Sequence, residues 1–546
     1  MSQSSDVSGS SPDSQLDALI SRIQSLSGDE GRAKQTRPPA AQPKQPPRPA
    51  PTPENARTQA AAAVATQTGT APAGQPAPAT GQAQPTGQAQ GTGQAQGTGA
   101  AAGGPKQSVN AKIKIPAGPL GFKPSRDEVW RPIEPESMEA AGVNESILEA
   151  IVYRYLQNVG EAEGRRIADQ VKLPFRMIEP LMTRLKMEQN VAYKNATATN
   201  DYVYVLTETG RMIARNHVND CTYYGACPVP LDHYINSVKY QTIEGQYPKK
   251  VDLERAFRDL LINPSMLRKL GPAVASGRGM FLFGFPGNGK TSIAERVTNA
   301  FGKYIWIPRA VDVDGEIMRV FDPMNHQLNM PEGSGGLLDA GGFDKRWVRI
   351  ERPTIIAGGE LTMEMLEVQN NSESNISESP LQLKSNCGTL VIDDFGRQKM
   401  RVDELLNRWI VPLEKRYDFL NMASGKKIQV PFDQLVVFST NLEPKDLVDD
   451  AFLRRIPYKI EAEDPPEEDF RKLFEIMCRV MKMPYNADAI DYLIRTHYKP
   501  VSRPMRMCQP RDLLLQVRNY CLYNDIEIEL TNDHFDFACE NYFSVM

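Results

Sequence analysis

From residue 143 to 219 the apolar positions first recur at helical spacing and then alternate. Ile147, Leu148, Ile151, Val152 and Leu156 share one side of the stretch 143–156, which predicts an amphipathic helix. A short helix is expected at 163–171 and a third over 175–189, with Met177, Ile178, Leu181, Met182 and Leu185 inward. Pro180 falls inside that third pattern and implies a first-turn position or a kink, because proline lacks a donor and crowds the preceding turn. Two strand-like runs, 191–194 and 202–206, flank a turn-rich stretch and predict a hairpin; a helix from 208 to about 217 closes the unit. Helices are expected again at 231–240 and within 251–270. Short continuous apolar runs at 280–283, 304–307, 389–392 and 435–438 then read as buried strands. Between them, 347–350 and 354–357 suggest a hairpin interrupted at Pro353, 362–368 a short helix, and the Gly-rich 333–342 a loop. Helical patterns at 467–483, 487–496, 511–523 and 531–543 form a C-terminal bundle.

Composition changes the picture mainly before residue 138. Pro, Ala, Gln, Gly and Thr dominate there and Gly-Gln-Ala-Gln recurs, so 1–137 lacks the apolar surface that would offset chain entropy and reads as a disordered tether. Within it Leu16, Leu19, Ile20, Ile23 and Leu26 sit at helical spacing, a possible short helix at 14–27 suited either to docking on a partner groove or to nothing. The 546-residue length allows several domains, and a formal net charge of −4 favours neither nucleic acid nor a membrane surface. Seven cysteines, an odd number with no C-x-x-C, argue against a disulfide framework or a zinc site. No apolar run has the length of a membrane span and no signal-peptide pattern opens the chain, so the expected compartment is cytoplasmic.

Candidate chemistry begins at G-x-x-x-x-G-K-T, between an apolar strand and a helical pattern. The segment comprises Gly284, Phe285, Pro286, Gly287, Asn288, Gly289, Lys290, Thr291 and Ser292. Glycines let the backbone approach a triphosphate, successive N–H groups and the helix N-terminus face it, Lys290 reaches the β- and γ-phosphates, and the Thr291 hydroxyl can ligate Mg²⁺. ATP and Mg²⁺ are therefore the expected cofactors; the competing reading is a Gly-rich turn that binds nothing. Thr389-Leu390-Val391-Ile392-Asp393-Asp394 ends an apolar strand in two acids, Asp393 for the metal and Asp394 as general base toward water. Arg454 and Arg455 follow an apolar helix turn and can reach across a subunit interface, or simply form a solvated basic helix end. Pro510 opens a helix that presents Arg511 toward the nucleotide.

These segments, with Phe-Ser-Thr-Asn, Ala-Phe-Leu-Arg-Arg and Pro-Arg-Asp-Leu-Leu, occur in the order of AAA+ ATPases, which the chain resembles from about residue 228 to its end. The resemblance implies an α/β P-loop core with a parallel sheet between helices, over 220–462, and an α-helical lid over 463–546. It implies ATP hydrolysis, Walker A at 284–291, Walker B at Asp393 and Asp394, sensor 1 at Asn441, an arginine finger at Arg454 or Arg455, and sensor 2 at Arg511. It also implies a homo-oligomeric ring, a hexamer in the family. One departure is the Asp-Asp of Walker B where most of the family has Asp-Glu, which shortens the reach of Asp394 to water; replication initiators and helicase loaders look similar there. The unit at 138–219 resembles a winged helix-turn-helix, and its placement before the core resembles a group of bacterial AAA+ ATPases with no assigned substrate. Arg176, Arg184, Lys186 and Lys194 are its candidate DNA contacts, yet acids nearly balance them, so a protein substrate or adaptor is the favoured partner and DNA the alternative. The expected activity is thus an oligomeric remodelling machine, against a DNA-associated factor or a nucleotide-gated scaffold.

Overall fold

The computed structural model describes residues 121–122, 128–197, 201–331 and 342–544. The helix expected at 14–27 and most of the Gly-rich 333–342 stretch lie outside them. Five parallel strands form the central sheet, in the spatial order Thr354–Ala357, Thr389–Ile392, Leu435–Thr440, Met280–Phe283 and Tyr458–Glu461. Parallel strands need crossovers, which cover both faces with helices, and this is why the three inner strands carry unbroken apolar runs, whereas the edge strand Tyr458–Glu461 does not. Thr389–Ile392 and Leu435–Thr440 are buried at every position. Alternate side chains go to opposite faces. Leu282, Val391 and Val437 pack with Leu253, Phe257, Val274 and Ile293 on one side. Phe281, Leu390 and Phe438 pack with Leu405, Trp409 and Phe432 on the other.

Two expectations are corrected by this sheet. Tyr304–Pro308 is outside it and pairs antiparallel with Trp347–Glu351. Thr354–Ala357 is therefore not the second arm of a hairpin; it is the edge strand beside Thr389–Ile392. The chain changes sheets at Arg352-Pro353. Pro353 has no N–H for a ladder, and the buried Arg352 is tied through its guanidinium to the carbonyls of Gly302 and Cys387. The helix expected at 362–368 is only the single 3-10 turn Glu364–Leu366.

The region between the P-loop helix and Thr389 builds a sheet of its own. Its order is Gln369–Asn371, Ile376–Glu378, Glu316–Arg319, Ala310–Val313 and Val229–Pro230. Val311, Met318, Ile305 and Val348 pack there with Leu420 and Val430 of the hairpin Tyr417–Asn421/Lys427–Pro431. The hairpin tip is held, since Ser424 N–H donates to Glu316 Oε1 at 3.0 Å.

The N-terminal unit has helices Glu145–Val159, Gly164–Val171, Phe175–Met187 and Glu208–Asp220. Asn144 caps the first by accepting from Ser146 N–H, and Gly160 ends it at φ 82°. Pro180 is not in the first turn; it lies within the helix Phe175–Met187. A strand without apolar alternation, Glu161–Glu163, joins Tyr202–Leu206 and Val191–Ala196 in a three-stranded antiparallel sheet. The core of this unit also takes in Ala310 and Ile317 of the inserted sheet. Thr222 N–H donates to Ser374 O and Asn375 Nδ2 to Asp220 O, both at 2.9 Å. Residues 128–137, grouped with the tail by composition, are packed: Trp130 is buried against Trp347, with centroids 5.2 Å apart. The C-terminal helices Glu467–Met481, Ala487–Leu493, Gln509–Tyr523 and Asn532–Phe543 close around Phe470, Phe474, Leu513, Val517 and Phe535. All seven cysteines are free, and five are buried core residues.

Candidate functional site

In an open parallel sheet the carboxyl ends of the strands frame the site. Here Met280–Phe283 runs into the P-loop, Thr389–Ile392 into Asp393 and Asp394, and Leu435–Thr440 into Asn441. A cleft of about 670 Å³ opens at these ends. Pro286, Gly287, Asn288, Gly289, Lys290, Thr291, Ser292, Asp393, Asp394, Asn441 and Arg511 all line it.

The loop that follows Phe283 is shaped by close approach. At Gly284, φ 136°, a Cβ would lie 2.7 Å from the Ala462 carbonyl oxygen. At Gly287, φ 86°, it would lie 2.5 Å from Cys508 Sγ of the lid. Asn288 is buried and donates from Nδ2 to Asp464 Oδ1 at 2.7 Å and to Ala462 O at 3.1 Å. Lys290 begins the helix Lys290–Val297, where backbone N–H groups and the dipole favour an anion. Its Nζ donates to Gly284 O at 2.9 Å, Phe285 O at 3.0 Å and Asn441 Oδ1 at 2.6 Å. Burial pushes the Lys290 ammonium below the usual lysine range; Asp393 and Asp394 pull it back up, and Arg506 adds to the lowering.

Thr291 Oγ1 donates to Asp393 Oδ2 at 2.8 Å. Two oxygens from the helix start and the strand end thus converge, which fits Mg²⁺, a cation that takes oxygen ligands and keeps most of its waters. Asp394 adopts φ 49°, a left-handed conformation that aspartate tolerates. Asn441 joins the two halves: its Oδ1 accepts from Lys290 while its Nδ2 donates to Asp394 Oδ1 at 3.3 Å.

Other expected residues are placed differently. Gly284 and Phe285 do not line the cleft; the Phe285 ring is instead covered by the Arg506 guanidinium, 4.1 Å from its centroid. Arg511 lines the cleft with its Nε on Asp512 Oδ1 at 3.0 Å. Arg454 and Arg455 lie away from it, after the helical turn Asp450–Leu453. Arg454 is exposed, whereas Arg455 is half-buried and donates to Ala451 O at 2.7 Å.

Sequence reasoning missed both the second lid arginine and the apolar lining of the cleft. Arg506 pairs with Asp464, the same carboxylate that holds Asn288, so lid, linker and P-loop share one hydrogen-bonded node. Leu260, Ile262, Met266, Leu473 and Met477 also line the cleft, apolar side chains suited to a flat aromatic base. Leu473 and Met477 are four apart on one helix face and so were findable. The irregular 259–263 loop carries no periodic signal.

Residues 466–541 match the family model described as a domain of unknown function (DUF8689), a match confined to the C-terminal helices. No curated protein matches the chain. Among solved structures the chain is similar to NtrX from Brucella abortus at 12% identity, covering 52% of this chain and 56% of that one, with a TM-score of 0.33. Similarity to NtrX from Brucella abortus in complex with ATP is 13% identity over 50% and 56% of the two chains, with a TM-score of 0.33. The RuvB Holliday junction branch migration motor of Thermotoga maritima shows 13% identity over 53% and 73%, with a TM-score of 0.31. This chain spans little more than half of NtrX, and likenesses this distant carry no activity across. The fold is read from the chain itself: a five-stranded parallel sheet has the P-loop strand second from its edge, the acid-bearing strand two places away, and lid residues packed on the loop, a P-loop α/β architecture.

Proposed function

We propose that the chain binds ATP with Mg²⁺ and hydrolyses the γ-phosphate as an oligomeric remodelling ATPase. One observation carries the reading: the Thr291–Asp393 pair and the Lys290–Asn441–Asp394 chain of hydrogen bonds meet on one cleft at the strand ends. Lys290 and the helix start hold the phosphates, and the apolar side chains take the base. Thr291 and Asp393 would hold Mg²⁺, which when bound would neutralise phosphate charge. Asp394, oriented by Asn441, accepts the proton of the attacking water. Arg511 approaches from the lid, and Arg454, exposed and unpartnered among the described residues, serves a neighbouring subunit of a ring.

The helix-and-hairpin unit at 138–219 is read as a winged helix that contacts protein. Three of its four supposed phosphate contacts are already paired: Arg176 with Glu134 at 3.6 Å, Arg184 with Glu149 at 2.9 Å and Glu188 at 3.4 Å, and Lys194 with Glu161; the fourth, Lys186, lies over the Tyr193 ring, its Nζ 5.4 Å from the centroid. A phosphate backbone would have to displace these carboxylates, and it would meet little net positive charge.

The test is nucleotide binding and turnover by the full chain, with and without duplex DNA. Lys290→Ala should lose ATP affinity by at least about tenfold. Asp394→Asn should bind ATP normally and stop turning over. Undiminished binding by the first variant would remove the P-loop reading, and full turnover by the second would move the base elsewhere. Strong stimulation by DNA would replace the protein-target reading.

A further inference from the structure

We propose that Arg397 is a catalytic residue, a guanidinium supplied in cis to the γ-phosphate end of the cleft. The inference rests on the reading of this cleft as an ATP-hydrolysing site and adds a residue to it.

Three cations line the cleft, Lys290, Arg397 and Arg511. Lys290 is engaged by two carbonyls and Asn441, and Arg511 by Asp512. Arg397 is exposed, and its guanidinium has no hydrogen-bond or ion-pair partner among the described residues, although Asp393 and Asp394 line the same cleft. An arginine beside two carboxylates ordinarily pairs with one of them, because a charge-assisted bidentate contact is among the stronger polar interactions.

The backbone around Arg397 is tightly held. Asp394 at φ 49° and Gly396 at φ 100° make a tight turn, closed by Arg397 N–H to Asp394 O at 2.9 Å. Gln398 braces it, donating from Nε2 to Asp393 O at 2.9 Å and Asp394 O at 3.1 Å while accepting from Gly396 N–H at 2.8 Å. Phe395 anchors the turn in the core, 1% exposed, against Phe438 at 5.0 Å between centroids. Its N–H also donates to Ser439 O at 2.7 Å. The Arg397 Cα is thereby fixed to the strand ends that carry Asp393 and Asn441, and only the side chain is free to reach substrate. The fixed Cα keeps the guanidinium within the cleft, where a cationic donor stabilises developing negative charge.

In the step, a water oxygen bonds to the γ-phosphorus, the bond from that phosphorus to the β–γ bridging oxygen breaks, and the water proton passes to Asp394. Negative charge grows on the bridging oxygen and spreads over the γ-oxygens. The Arg397 N–H groups donate to that charge. This assigns a role in a site whose base, an aspartate, is one methylene shorter than the usual glutamate.

The experiment compares wild type, Arg397→Ala, Arg397→Lys and Lys290→Ala in the full chain, reading kcat, ADP affinity and melting temperature. A cis arginine in this role is worth on the order of 10³-fold or more in kcat. Arg397→Ala should lose about that much with ADP affinity within about twofold and an unchanged melting temperature, and Arg397→Lys should recover part of the rate. Mixing Arg397→Ala with Lys290→Ala should restore nothing, since no site then holds both groups. Wild-type kcat in Arg397→Ala overturns the proposal, as does turnover restored on mixing, which would place the arginine in a neighbour's site. A lowered melting temperature with lost ADP binding would assign Arg397 to the fold and also overturn it. Failure of the underlying reading looks different: wild type would not turn over, or Lys290→Ala would match it.

Discussion

A single glycine shows how much a motif position can carry. Gly287 is expected from the P-loop spacing as a point of close approach to phosphate. Its neighbour across the loop is in fact the lid, with Cys508 N–H donating to Gly287 O at 3.0 Å and Sγ where a Cβ would go. Gly287→Ala therefore meets two penalties, a positive φ that costs an L-residue about 1–2 kcal/mol and the clash with Cys508. The single variant should melt earlier and bind ADP more weakly. Adding Cys508→Ala should recover part of both losses and leave the φ cost. No recovery in the double variant would mean that the lid contact does not limit the loop. The Gly-rich spacing was legible because phosphate chemistry alone demands it. Cys508, Arg506 and Asp464 were not, because their partners lie 42 to 221 positions away by sequence number and only folding supplies them.

At the scale of elements, the inserted sheet contains a local cue that the expected elements left out. Ala310–Val313 and Glu316–Arg319 pair with Val313 opposite Glu316, leaving Asp314-Gly315 as a two-residue turn with both φ positive, 50° and 97°. Asp-Gly between alternating apolar positions is a strong hairpin cue. The strand Thr354–Ala357 had no such cue, since choice of sheet is decided by what lies alongside. Beyond this hairpin, Asp322 ties the connection to the helical turn Leu381–Lys384. It accepts from Lys384 Nζ at 2.7 Å, Met324 N–H at 2.9 Å and Asn325 Nδ2 at 2.7 Å. Burial raises its pKa, but these donors outweigh it and bring the carboxyl to about 2. An unfolded aspartate titrates near about 4. The folded carboxyl is thus the weaker proton binder, so its stabilisation is complete above about pH 4 and is lost as pH falls toward about 2. The stability difference between wild type and Asp322→Asn, from denaturant melts across that range, should shrink with acid; a difference independent of pH would remove the ion pair from the account.

For the whole molecule, the cleft is made by segments near 260, 290, 393, 441, 464 and 511, joined at the end of one sheet and closed by a lid. Arg454 and Arg455 fall outside it, which is consistent with work at a neighbour's site rather than their own. An Arg454→Ala/Arg455→Ala chain and a Lys290→Ala chain should each be nearly inactive. Mixed, they should regain turnover, because a site with an intact P-loop then borrows the intact arginines beside it. Mixing that leaves activity at the level of either alone would exclude a shared site. The contrast with Arg397, which mixing should not rescue, separates the two arginine roles. Among the described residues no helix is long and apolar enough to cross a membrane.

Local chemistry determined much of this protein before any packing was known. Phosphate binding needs small residues, a lysine and a helix start in one contiguous run, and a metal-facing acid needs the end of an apolar strand; such requirements are written into neighbouring positions. The type and approximate extent of many helices followed from the same local periodicity, though 362–368 proved a 3-10 turn and the helix Val402–Lys415 was not expected. Tertiary structure alone decided which strands share a sheet, that Glu161–Glu163 becomes a strand with no apolar alternation to announce it, and that Trp130 packs while composition groups it with the tail. It alone set Arg397 free beside two acids and turned Phe285 under Arg506. The physical reason is common to all of these. They depend on long-range partners and on the backbone turns that hold side chains together or apart, and neither is encoded in the spacing of residues along one segment.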